Sequence, residues 1–321
     1  MERDKGLAAA ARAIADAGSL VTTGHVHPDG DALGAALGLA LTSRTRGGMA
    51  HACFGGGFVL PRHFAFLDHA PLADPREVEA PDVLVAFDVN DPARLGHEIE
   101  GLLDSAQTVV MIDHHVSGPG FGDIRVSDPS VAAASLLCYR LVGHLGWTLT
   151  PAAATALLLG LVTDTGRFQY SNTNPEAFRT AAALVEAGAR PEVIGGEVYE
   201  SAAFGYLGLA GEVLTRAVLE PPSSLVWSYM TQDDLRRRGI GMEDSDGLID
   251  AVRIAREAEV ALLAKEQPDG TWKLSLRSRR HVDVAAVAEE MGGGGHRRAS
   301  GFSFEGSLDE VMREVRSRLP G

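Results

Sequence analysis

The sequence predicts an α/β protein in three parts. A parallel-sheet N-terminal domain with flanking helices spans 1–188, a helical connector 189–220, and a smaller α/β C-terminal domain 221–321. Three observations carry this reading. From Leu20 to Gly188, short apolar runs alternate with Ala-rich helical stretches, as a parallel sheet with crossover helices requires. Several of those apolar runs stop at an aspartate, where open α/β sheets place their chemistry. Finally, 321 residues exceed what one hydrophobic core usually serves, and Pro221-Pro222 punctuates the chain before a second set of elements.

Taken in order, Leu7 to Ala17 forms an amphipathic helix broken by Arg12 and Asp16. Leu20-Val21-Thr22-Thr23 is an apolar strand, and Asp31 to Leu41 is the helix that follows its polar loop. Val83 to Phe87 and Val109 to Ile112 are continuous apolar runs rich in Val and Ile, the signature of strands covered on both faces. Ala132 to Leu145 is helical. Ala153 to Val162 is rich in Ala and Leu and follows Thr150-Pro151, which suits a buried helix. Asn174-Pro175 opens a helix that runs to Gly188, and Glu192 to Leu214 shows helical periodicity interrupted by glycines, read as the connector. The second domain then has a strand at Leu225 to Met230 and a helix at Ser245 to Arg256. Strands at Val260 to Lys265 and Trp272 to Ser278 are joined across Asp269-Gly270, a hairpin signal. A helix from Val282 to Met291 leads into Gly292-Gly293-Gly294-Gly295.

Composition narrows the function. Hydrophobic content of 45% and a charged fraction of 22% are ordinary for a globular protein. A net charge of −14 argues against a partner of long nucleic acid bound nonspecifically. Between Thr271 and Gly301 the balance reverses, with six basic residues against three acidic, which suits a short anionic ligand. Cys53 and Cys138 form no paired-spacing motif and are expected as buried, inert thiols. No apolar run approaches the roughly 18 residues of a membrane span, and the first residues lack a signal-peptide pattern. The expectation is a soluble cytoplasmic protein without membrane contact.

The chemistry concentrates at four places. Gly24-His25-Val26-His27-Pro28-Asp29-Gly30-Asp31 crowds two histidines and two aspartates after the first strand. Asp88 ends the second apolar strand, Asp113-His114-His115 ends the third, and Thr163-Asp164-Thr165-Gly166 ends the buried helix. Imidazoles and carboxylates are donors for divalent ions such as Mn²⁺ or Mg²⁺. Buried elements that stop at aspartates repeatedly are costly unless those carboxylates share a cation. The run Gly292 to Gly295, followed by His296, Arg297 and Arg298, suggests a backbone nest for an anion. Gly55-Gly56-Gly57 is a turn rather than a phosphate loop, because no Lys-Ser or Lys-Thr follows.

Together these motifs resemble the DHH phosphoesterase family. The HxxxDxD segment, Asp88, Asp113-His114-His115 and Asp164 match its metal-binding half. Leu276-Arg277-Ser278, the glycine run with His296, and Ala299-Ser300-Gly301 match its DHHA1 substrate-binding domain. The match is similar in order and length to the branch that degrades nanoRNA and dephosphorylates pAp. The resemblance implies two divalent ions, Mn²⁺ first and Mg²⁺ or Co²⁺ as alternatives. His25, Asp29 and Asp88 would hold one, and Asp31, Asp88, His114 and Asp164 the other. It also implies that His115 meets substrate and that Asp113 orients a ligand imidazole. Arg277, Ser278, Gly294, Gly295 and His296 would hold the nucleotide, in a cleft between the domains. Arg94 is a candidate phosphate contact, although an ordinary surface arginine would read the same way. His27 is read as a loop residue. The implied substrates are short RNA oligonucleotides and pAp, and a homodimer is the expected assembly. Hydrolysis of cyclic dinucleotides or pNpN, and nucleotide sensing without catalysis, fit the same residues.

Overall fold

The computed structural model describes residues 2–115 and 118–319, in two compact units that divide between Ser201 and Ala202. The first unit contains α1 (Glu2–Ala15), β1 (Ser19–Thr23), α2 (Gly30–Arg44), β2 (Met49–Ala52), β3 (Val83–Phe87), α3 (His97–Ser105) and β4 (Thr108–Asp113). It continues with β5 (Ile124–Ser127), α4 (Ala134–Leu145), α5 (Pro151–Asp164), α6 (Pro175–Glu186) and α7 (Pro191–Ile194), and closes on a π-helical turn at Gly195–Tyr199. Its five strands lie in the order β2-β1-β3-β4-β5, and every pairing is parallel. All five carboxyl ends therefore share one edge.

Strand β3 shows why the sheet is covered on both faces. Val83, Val85 and Phe87 pack into one core with α1, α2, α4 and α5, while Leu84 and Ala86 pack into another with Ile99 and Leu102 of α3. Helix α2 is buried from Gly30 to Ser43 and has no polar face, so it sits inside the unit rather than on it. Its glycines let it approach α5 closely. A Cβ on Gly34 would lie 2.3 Å from the Ala156 carbonyl oxygen, whereas Gly30 meets Thr163 and Gly38 meets Leu157. The order of these contacts makes the two helices antiparallel, so the first turn of α2 meets the last turn of α5. That brings Asp31 beside Asp164.

The second unit contains α8 (Phe204–Thr215), β6 (Val218–Glu220), β7 (Leu225–Met230), α9 (Gln232–Arg238), α10 (Leu248–Val252) and β8 (Val260–Glu266). After these come β9 (Trp272–Ser278), α11 (Val284–Glu290), β10 (Gly294–His296), β11 (Ala299–Phe304) and α12 (Leu308–Arg318). Its sheet runs β10-β11-β9-β8-β7-β6, with β7 and β8 parallel and the other neighbours antiparallel. Along β8, Val260, Leu262 and Ala264 face a core with α11 and α12, and Ala261 and Leu263 face one with α8, α9 and α10.

The structure adds detail to the sequence expectation at three places. The segment read as a connector is divided: α8 buries Leu209 and Val213 in the second unit's core, and β6 pairs with β7. The helix expected over Ser245 to Arg256 is only α10, because Gly247 turns left-handed at φ 82° just before it. The glycine run places Gly294 and Gly295 in the edge strand β10, hydrogen-bonded to β11. Its glycines serve backbone approach, since a Cβ on Gly293 would lie 2.2 Å from the Gly301 carbonyl oxygen and one on Gly295 2.6 Å from Ala299 O. Cys53 and Cys138 are buried and unpaired, and burial pushes the Cys53 thiol up to about 12. Among the described residues, no helix is long and apolar enough to cross a membrane.

Candidate metal centre

The polar loop after β1 carries His25 and Asp29, and Asp29 caps α2 by accepting from the amides of Asp31 (2.9 Å) and Ala32 (3.1 Å). Asp88 follows β3 in a left-handed conformation, φ 57°, which aspartate tolerates better than most residues. Its amide donates to Ile112 O at 3.0 Å, tying it to β4, whose last residue is Asp113. His114 and His115 come next, and Asp164 is the last residue of α5.

Asp88 is the hub. Its Oδ2 lies 3.6 Å from His25 Nε2, and its Oδ1 lies 3.3 Å from His114 Nε2 and 3.5 Å from His115 Nδ1. His114 Nε2 is also 3.7 Å from Asp164 Oδ2 and 3.9 Å from Asp31 Oδ2, while His25 Nε2 is 3.9 Å from Asp29 Oδ1. The ligand atoms fall into three sets, each within 4.8 Å: His25-Asp29-Asp88, Asp31-His114-Asp164 and Asp88-His114-His115. The structure thus brings all six expected ligands together, with His115 beside them.

The electrostatics fit a cation. Asp88 Oδ1 is buried and, among the described residues, has no hydrogen-bond partner, which is costly for a carboxylate oxygen. Burial would raise Asp88, but His114 and His25 hold it below the usual carboxylate range. Burial also opposes protonation of His25 and His114, yet Asp88 and the other carboxylates outweigh it, lifting them to about 9 and about 11. Burial and the Asp88 charge push Asp31 up to about 7. Without an ion, the cluster borrows protons to neutralise itself. A divalent ion supplies the same charge through oxygen and imidazole donors of the right kind.

Two imidazoles are aimed from behind. His114 Nδ1 faces Val131 O at 3.3 Å, which leaves Nε2 turned to the carboxylates. His115 Nδ1 donates to Asp113 Oδ1 at 2.7 Å, and Asp113 also accepts the His115 amide at 3.1 Å. This revises the expectation for Asp113, which orients the histidine assigned to substrate and not one of the six ligands. The reason is reach, since His115 lies two residues beyond Asp113 and meets that carboxylate with both its amide and its ring. His27 is exposed and left-handed, φ 53°.

The other expected contacts are divided between the two units. Arg94 closes the 3₁₀ turn Pro92–Arg94 with an exposed side chain, and its carbonyl accepts the Val26 amide at 2.7 Å, bracing the histidine loop. Arg277 and Ser278 end β9, and Gly294, Gly295 and His296 form β10. Ser278 is 2% exposed and its hydroxyl meets Glu259 at 3.3 Å. Glu259 was not foreseen. It accepts from the amides of Arg280 (2.8 Å), His281 (2.5 Å) and Val282 (3.3 Å), and so shapes the basic turn. Also unforeseen were the Ala134 and Ser135 amides, which donate to Asp31 at 2.5 and 2.9 Å. An aspartate bonded to the start of a helix 103 residues away leaves no local pattern in the sequence.

Comparison with known proteins places the chain in a family. The model of the DHH family N-terminal domain matches residues 19–161, and that of the DHHA1 domain matches residues 224–319. The chain is 33% identical over 315 residues to the bifunctional oligoribonuclease and PAP phosphatase NrnA of Thermus thermophilus, covering 94% of this chain and 90% of that one. It is 26% identical to the protein of the same name from Bacillus subtilis, over 90% of each. An exopolyphosphatase-related protein from Bacteroides fragilis shares the fold, with a TM-score of 0.91 over 98% of this chain and 95% of the other at 23% identity. Two domain matches in order, with a full-length relative at this identity, are decisive: the chain belongs to the DHH family of phosphoesterases and carries the DHHA1 domain after the DHH domain.

Proposed function

We propose that this chain is a metal-dependent hydrolase of short nucleotides, degrading oligoribonucleotides of a few residues to mononucleotides and converting pAp to AMP. The observation that carries the proposal is Asp88, a buried carboxylate between His25 and His114 with an oxygen that lacks a hydrogen-bond partner among the described residues. The names of the Thermus and Bacillus relatives supply the substrate class.

In this reading His25, Asp29 and Asp88 would hold one ion, and Asp31, Asp88, His114 and Asp164 a second, with Mn²⁺ proposed first and Mg²⁺ or Co²⁺ as alternatives. When bound, such ions lower the pKa of water and neutralise charge on a phosphoryl group. The chain's own residues do the rest. Asp113 fixes the His115 ring through Nδ1, assigning Nε2 to a phosphoryl or leaving oxygen. Arg94, Arg277 and the backbone of Gly294, Gly295 and His296 take the nucleotide's remaining phosphate and base edges. Ser278 serves with Glu259 to hold the basic turn in place.

Metal-stripped protein incubated with pApA, pAp and cyclic di-AMP, with and without Mn²⁺, tests this directly. AMP released from pApA and pAp only with Mn²⁺ is the expected result. Faster release from cyclic di-AMP would shift the assignment to cyclic dinucleotides. Tight nucleotide binding without turnover of any of the three, in folded metal-loaded protein, would overturn the hydrolase.

A further inference from the structure

The buried segment Val131 to Ser135 touches the candidate centre from outside in several places. Val131 O faces His114 Nδ1 at 3.3 Å. The amides of Ala134 and Ser135 hold the Asp31 carboxylate at 2.5 and 2.9 Å. The third member of that set, Asp164, is reached through Asn172. The Asn172 side-chain amide donates to Ala132 O at 3.0 Å, to Asp164 O at 3.0 Å and to Asp164 Oδ2 at 3.4 Å. One short turn thus connects to Asp31, His114 and Asp164, which arrive from three different elements. Between Asp164 and Asn172 the chain passes through three successive left-handed residues, Gly166, Arg167 and Phe168, at φ 55°, 61° and 62°. Non-glycine residues resist that conformation, and such strain persists where surrounding contacts over-determine it. The Asn172 bonds are such contacts, closing the turn back onto its own start.

We infer that Asn172 is a positioning residue for the Asp31-His114-Asp164 set, its amide locking Asp164 to the turn that holds the other two. The inference rests on the metal-centre reading above. An amide suits the role because its two N–H groups donate to the carbonyls of Ala132 and Asp164, with Asp164 Oδ2 sharing one of them at the longer 3.4 Å. A carboxylate at the same position would repel Asp164 and could not donate. Residues that orient ligands in this way typically change metal affinity by about 10–100-fold when lost.

The test is Mn²⁺ titration of the metal-stripped protein, following the electron paramagnetic resonance signal of free Mn²⁺, for the wild type, Asn172→Ala, Asn172→Asp and Asn174→Ala. Asn174 is a structural control, since it caps α6 and its side chain reaches Ser130 O rather than the candidate set. Asn172→Ala should weaken Mn²⁺ binding about 10–100-fold and Asn172→Asp by more. Asn174→Ala should lower the thermal midpoint and leave the Mn²⁺ affinity unchanged. If Asn172→Ala does not fold, Asn172→Asp, which keeps the shape, carries the comparison. Wild-type affinity in a folded Asn172 variant would overturn the inference, as would an equal loss in Asn174→Ala. A wild type that binds no Mn²⁺ would overturn the metal-centre reading along with it.

Discussion

Asp234 in the second unit and Asp88 in the first are both buried, with side chains 1% and 4% exposed, and their surroundings differ in kind. Asp234 accepts from Arg216 Nη2 at 2.8 Å, from Arg237, and from the Thr231 amide at 2.8 Å as part of a capping box. Its charge is matched inside the protein. Asp88 has imidazoles at 3.3 to 3.6 Å and one oxygen without a hydrogen bond among the described residues. Burial of an acid does not by itself mark a site, because a guanidinium in the right place makes it structural. Burial without a permanent cation is the informative case, and it occurs where three strand ends and a helix end meet.

The comparison can be broken from either side. The largest effect is expected for His114→Ala, which removes the ring shared by Asp31, Asp88 and Asp164. Activity should fall by more than the roughly 100-fold ceiling typical of outer contacts, with the far-ultraviolet circular dichroism unchanged. Substantial Mn²⁺-dependent hydrolysis by that variant would contradict the assignment.

Next comes pH. In the ion-free protein His25 and His114 are raised to about 9 and about 11, so each must lose a proton before its ring can accept an ion. Mn²⁺ affinity should therefore rise with pH, by about tenfold per unit for each proton released, between roughly pH 6.5 and 9. The sign for folding is opposite. Raised imidazoles stabilise the ion-free fold below their unfolded value of 6.5, and that stability is lost as pH climbs through about 9 and then about 11. The gap in thermal midpoint between loaded and ion-free protein should widen with pH. A constant gap would show that the histidines do not meet the ion.

Asp234→Ala sharpens the contrast from the second unit. It should cost about 1–3 kcal/mol, since it strands partly exposed arginines and removes the Asp234 half of the α9 capping box, and it should leave Mn²⁺ binding unaltered. Chemical denaturation and a metal titration measure the two halves. The smallest effect is expected for Gly101→Ala on the exposed side of α3, where a Cβ meets nothing within 4 Å. It should stabilise by about 0.4–1 kcal/mol without touching activity.

Much of this was legible in the sequence, for identifiable reasons. β1, β3 and β4 were readable because strands covered on both faces are continuous apolar runs, and the aspartates at their ends stood out against them. α5 was readable from Thr150-Pro151, a cap followed by a proline at the first helical position. β2 and β5 were not, since Met-Ala-His-Ala and Ile-Arg-Val-Ser are four-residue edge strands too short to show a period. α12 was legible and went unread, because Ser307 and Glu310 spell a capping box before an amphipathic run. Asn172 and the Val131–Ser135 turn could not be found that way. Their partners lie in other elements, and antiparallel packing of α2 on α5 creates the neighbourhood. The strand pairing of Gly294 and Gly295 was not legible, because glycines that admit an anion and glycines that admit another strand look identical until the pairing partner is known.

The most direct test of the central claim is the Mn²⁺ content at saturation of metal-stripped wild type and Asp88→Asn, by equilibrium dialysis with elemental analysis. Two ions per chain in the wild type, with binding lost in Asp88→Asn, is the predicted result. No bound ion in the wild type, or the same two ions in Asp88→Asn, would contradict it.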